Sequence, residues 1–166
     1  ALHARYDLGG DQMFALVPGL YGSRSVGWVR VRSADPTVPP EFQPNYLADP
    51  KDLVAMVEAM DVAQELVAGP AYADLHPEPL TPPPSMTDRA ERVQFVRENV
   101  GSFFHGVGTA RIGTDELAVV DPGLRVRGLE GLWVADASVI PIIPTANTQA
   151  PTVAIAERAA ELIAAD

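Results

Sequence analysis

The chain has 166 residues, 47% of them hydrophobic and 20% charged, enough for one globular core or for one and part of another. A net charge of −10 argues against a nucleic-acid surface, which needs a basic stripe, and against docking on anionic membranes. With no cysteine and three scattered histidines, disulfides and thiolate metal sites are excluded and a histidine-based metal site is not expected.

The opening Ala1-Leu2-His3-Ala4-Arg5 lacks both an initiator Met and the charged-then-apolar pattern of a leader. No apolar run reaches the roughly 18–20 residues that span a bilayer, so a cytoplasmic setting is expected. Val26 to Arg32 alternates apolar and basic residues, which predicts a half-buried strand. Sixteen prolines cluster in two places, Pro36 to Pro44 and Pro77 to Pro84. Proline lacks an amide donor and restricts its predecessor, so neither stretch suits a helix or a central strand. Between them, Asp49 is a good N-cap, Pro50 fits the first helical position, and Asp52 favours the positive helix start. Leu53, Met56, Val57, Met60, Ala63, Leu66 and Val67 recur at helical spacing until Gly69-Pro70 ends the run. A second helix is expected from about Asp88 to Asn99, capped by Thr87. Beyond Gly113, the pieces Ala118 to Asp121, Leu124 to Arg127 and Leu132 to Ala135 read as short strands separated by Gly and Pro. A proline-punctuated loop follows. The last helix is expected from about Pro151 to Ala164, with a broad apolar face.

The chemistry concentrates in the last third. His105 lies in Phe104-His105-Gly106-Val107-Gly108, after Phe103, where glycines allow a planar ligand to approach the backbone. Imidazole can accept a proton near neutral pH, which makes this residue the best general-base candidate. On spacing alone, a structural histidine in a turn is the ordinary reading. His3 and His76 have no comparable surroundings. Asp136-Ala137-Ser138 closes a strand-like piece, where open α/β sheets place ligands, although aspartate is also common in plain turns. Asn147-Thr148-Gln149-Ala150-Pro151-Thr152 opens the last helix, whose first-turn amides can stabilise an anion.

In order and spacing, the segments 104–113, 134–141 and 147–152 resemble the C-terminal part of the glucose–methanol–choline (GMC) family of flavin-dependent alcohol oxidoreductases. The likeness runs from about Ser25 to the end, and the stretch from Ser33 to Leu47 matches the family's substrate-domain pattern. The resemblance implies FAD as cofactor and a small-molecule alcohol as substrate. His105 would take the hydroxyl proton while hydride passes to flavin N5. It further implies that Asp136 and Ala137 contact the ribityl or pyrophosphate part of FAD, largely through backbone amides. Phe104, Asn147, Thr148 and Gln149 would also lie against the cofactor, the helix start facing N1 and the C2 carbonyl.

The sequence departs from the family in three places. The second His or Asn, usual three residues before the threonine that aligns with Thr152, is Gln149, with Asn147 two residues further back. Gln donates a hydrogen bond but is no base. His105, Gln149 and Asn147 are therefore the catalytic candidates, with His105 alone able to take the proton. Ala110 stands where many relatives have Cys, a packing matter. No strand followed by G-x-G-x-x-G occurs; Gly9-Gly10 lacks that context.

The expected fold is α+β joined to α/β. Residues 1–113 would form a partial substrate domain with an antiparallel sheet and flanking helices. Residues 114–166 would supply the closing strand–loop–helix unit of a Rossmann-like FAD domain contributed mainly by an N-terminal chain or segment. Alone, the chain is expected neither to hold FAD tightly nor to turn over. The alternatives are a redox-neutral, FAD-containing lyase of the same fold and a non-catalytic interaction module.

Overall fold

The computed structural model describes residues 14–165, so Gly9-Gly10 and His3 lie outside the described part. The predicted strand forms over a shorter span: β1 (Trp28–Arg30) pairs antiparallel with β2 (Glu41–Gln43), in the register Trp28–Gln43, Val29–Phe42 and Arg30–Glu41. β2 sits between Pro40 and Pro44, whose missing amides keep it short. At the mouth of the hairpin a Cβ on Gly27 would run into the backbone of Gln43 and Pro44, so only glycine lets the two segments close. The Arg30 guanidinium covers the Trp28 ring at 4.4 Å.

Helix α1 (Pro50–Ala68) starts as its sequence demands. Asp49 accepts the Lys51 amide at 2.8 Å, Pro50 takes the first position, and Gly69 ends the helix. A short 3₁₀ turn, Pro70–Leu75, follows. Helix α2 (Arg89–Asn99) is capped by Asp88, not Thr87. The Asp88 carboxylate accepts from Ala90 N at 2.8 Å and Glu91 N at 3.1 Å, which leaves Thr87 one residue outside the helix. Leu47, Val57, Met60 and Val96 bury a core between the two helices, flanked by Leu53, Met56, Val93, Phe95 and Val100. Arg92 pins the pair from the side through Asp61, Gln64 Oε1 and the Met86 carbonyl.

Asp52 does more than favour a helix start. Nearly fully buried, it accepts from Ser23 Oγ and Ser25 N at 2.7 Å each and from Arg24 N at 3.0 Å, and it also accepts from Ser25 Oγ. Burial pushes its carboxyl up, but the bonds from Ser25, Arg24 and Ser23 outweigh that and bring it down to about 2.

The segment beyond residue 113 corrects the expected strands. Its pieces meet only in single bridges, Ile112–Val120, Val120–Val126 and Arg125–Trp133. Glycines and prolines between the pieces turn the chain before a ladder can extend. The coil they form still closes a second core of Val120, Leu124, Val139 and Ala159, edged by Ile112, Val126, Trp133, Val134, Ala135 and Ile155. Helix α3 (Gln149–Ala164) begins two residues earlier than expected, with Pro151 third in the helix. The first-turn amides have no partner four residues back, so proline fits there without loss. Of the broad apolar face only Ala159 is buried; Val153 and Ile163 are exposed.

Candidate active site

Backbone pairing places the histidine turn. Ala110 N donates to Ser138 O at 3.0 Å and Ile112 N to Val139 O at 2.9 Å, which lays the segment after His105 along the short 3₁₀ turn Ala137–Val139. Gly108, at φ +86°, lies against the Ile140 carbonyl. Phe104 also adopts positive φ, 62°, and its amide donates to Ser102 Oγ at 2.9 Å. Its ring is 90% exposed.

This path delivers His105 to the start of α3. Its Nδ1 lies 3.0 Å from Oγ1 of the buried Thr148, and the edge-on ring of Phe103 packs 5.6 Å from the imidazole. The histidine itself is half-buried. Thr148 precedes α3 with helical backbone angles, and its side chain makes no cap bond to the helix. Its hydroxyl turns to His105 instead. Pro151 has no amide, so the first-turn donors of α3 come from Gln149 and Ala150. Asn147, on the other side of Thr148, accepts a hydrogen bond from Tyr21 Oη at 3.0 Å.

The structure thus joins His105 to Thr148 and sets Asn147 and Gln149, both exposed, on either side. Among the described residues, neither Asp136 nor Ala137 hydrogen-bonds to this group. No strand ends there; Asp136 caps the 3₁₀ turn, accepting from Ser138 N at 2.8 Å and from Ser138 Oγ. The Ser138 hydroxyl and amide hold the Asp136 carboxyl below its ordinary value. The carboxylate is therefore engaged within its own turn, while Ala137 lies half-buried beside it. Tyr21 was not legible as a site residue, because it meets Asn147 across 126 positions and no local pattern marks it. Among the described residues no group of three or more His, Asp or Glu is placed to hold a metal ion, and no helix is long and apolar enough to cross a membrane.

A family model described as GMC oxidoreductase, covering the C-terminal part of these enzymes, matches residues 23–156. The chain belongs to the GMC oxidoreductase family. An alcohol dehydrogenase [acceptor] of Pseudomonas putida is 39% identical over 140 residues, covering 84% of this chain and 25% of its own length. Choline oxidase of Arthrobacter globiformis is 39% identical over 154 residues, covering 90% of this chain and 28% of its own. Among solved structures, pyridoxine 4-oxidase from Mesorbium loti superposes with a TM-score of 0.81 at 28% identity, covering 88% of this chain and 28% of that one. A formate oxidase from Aspergillus oryzae RIB40, studied for modification of its FAD, gives 0.75 at 35% identity, over 84% of this chain and 24% of its own. The chain spans about a quarter of the length of the GMC relatives it matches.

Proposed function

We propose that this GMC chain supplies the proton-accepting part of the active site of an FAD-dependent oxidoreductase acting on CH–OH groups. The observation that carries this reading is the anchoring of His105 by Thr148 at the start of α3. The half-buried ring is held through Nδ1, and its other nitrogen is left to meet a substrate hydroxyl. The names of the relatives, alcohol dehydrogenase, choline oxidase and 5-(hydroxymethyl)furfural oxidase, support an alcohol as the substrate class.

The residues fit the cofactor. Thr148 makes no cap bond to α3 and Pro151 has no amide, so the donors of Gln149 and Ala150 are open to an electron-rich ring edge. The exposed Phe104 ring and the backbone at Asp136 and Ala137 would hold other parts of it. When bound, the flavin supplies the two-electron acceptor that receives the substrate's hydride. His105 takes the hydroxyl proton, so the alcohol leaves as a carbonyl compound. Asn147, oriented by Tyr21, and Gln149 position the substrate oxygen without titrating.

In the same reading, residues 1–113 belong to a substrate domain and residues 114–166 close the FAD domain. The two separate hydrophobic cores support a division near this point, although Ile112, just before it, already packs against the second core. Most of the FAD domain comes from an N-terminal chain or segment, a view supported by the quarter-length match to the relatives. The test is His105→Ala in the flavin-loaded enzyme. Alcohol oxidation should slow by roughly 10²–10⁴-fold, the usual contribution of a general base, with flavin content retained. A reductive half-reaction at the parent rate overturns the assignment.

A further inference from the structure

We infer that Thr148 is a positioning residue: its hydroxyl oxygen accepts the Nδ1–H of His105, which fixes the tautomer whose free lone pair is on Nε2. The inference rests on the reading of His105 as the base and adds the group that makes it one. A neutral imidazole carries one proton, and the hydrogen bond at one nitrogen decides which nitrogen can accept another. The 3.0 Å contact between Nδ1 and Thr148 Oγ1 allows either direction of donation. Local structure points to the ring as the donor. A threonine before a helix ordinarily spends its lone pairs on a first-turn amide. Thr148 cannot, because its backbone is helical at φ −77° and ψ −10°, and Pro151, third in the helix, carries no proton. The lone pairs of a buried oxygen are costly to leave unused, and the ring N–H is the donor that reaches them. Among the described residues the ring meets Thr148 and the edge of Phe103, neither of them charged. Choice of tautomer therefore falls to the hydroxyl rather than to a carboxylate.

The experiment uses the flavin-loaded enzyme and has three readouts. Nitrogen NMR of His-labelled enzyme, with the His105 signals assigned by their loss in His105→Gln, should show the neutral ring protonated at Nδ1. A ring protonated at Nε2 overturns the inference without any variant having to fold. Thr148→Val keeps the shape and removes the acceptor. It should lower kcat/KM by roughly 10–100-fold, the scale on which partners of a ring nitrogen act elsewhere, while flavin absorbance is kept. Thr148→Ser should recover most of that loss. The acid limb of kcat/KM in Thr148→Val should move to lower pH, since an acceptor at Nδ1 favours the doubly protonated ring. Movement to higher pH would mean that Thr148 donates and would overturn the inference. A Thr148→Val enzyme with the parent rate and profile, beside an inactive His105→Ala, overturns the role of Thr148 and leaves the base assignment standing. An active His105→Ala overturns both.

Discussion

Asp52 shows how one buried carboxylate can join two parts of the chain. It sits in the first turn of α1 and binds the hydroxyls and amides of the 23–25 segment, which leads into β1. Its folded pKa is about 2 against an ordinary 3.8, so the unfolded chain takes up the proton first as pH falls. The resulting stabilisation, about 2 kcal/mol, is complete above roughly pH 4 and is lost as pH drops toward 2. Asp52→Asn is expected to remove most of this pH-dependent part. Denaturant midpoints of the two proteins should differ at neutral pH and converge toward pH 2; a constant gap across that range would contradict the account. The same residue marks a limit of sequence reading. Its place at a helix start was legible from Asp49 and Pro50, but its partners lie 27 to 29 positions away and carry no local signature.

Among the elements, those governed by local chemistry were the legible ones. α1 was readable from end to end because its cap, first-turn proline, apolar period and terminal glycine lie within its own sequence. α2 was displaced by one residue at its cap, where Thr87 and Asp88 are both competent and only the backbone angles choose. The start of α3 was misplaced because proline is tolerated throughout a first turn, not only at its first position. The pieces after residue 113 have strand-like composition but pair one residue at a time, an outcome set by the geometry of the whole coil. The hairpin depends on one residue that composition cannot flag. A Cβ at Gly27 would lie 2.8 Å from Pro44 Cα, among backbone atoms that cannot yield. Gly27→Ala is expected to cost about 2 kcal/mol, as overpacking does elsewhere. The midpoint of equilibrium unfolding measures it; an unchanged midpoint would show that β1 and β2 separate freely.

Over the molecule as a whole, apolar side chains face outward from both cores: Val31, Phe42, Leu117 and Ile142 are each more than 70% exposed. Single exposed hydrophobics are ordinary, but so many large ones suit a surface covered by further protein. The candidate site lies on such a surface. His105 and Thr148 come together across 43 positions of the chain, and Tyr21 reaches in from the segment before β1. The histidine and the helix start could be found by their own chemistry, whereas their meeting follows only from how Ala110 and Ile112 pair with Ser138 and Val139. Phe104 carries this to its extreme. It combines a left-handed backbone with a side chain almost wholly in water, so the strain of the backbone is offset there by no packing of the ring. Glycine relieves the backbone strain. Phe104→Gly is therefore expected to raise the Tm of the chain, by an amount equivalent to about 1 kcal/mol, while weakening flavin retention or turnover in the loaded enzyme. A gain in Tm with full activity would mean the ring has no use at the site; a fall in Tm would mean the backbone there is not strained. On this view the position beside the proposed base is one where activity and stability ask for different side chains.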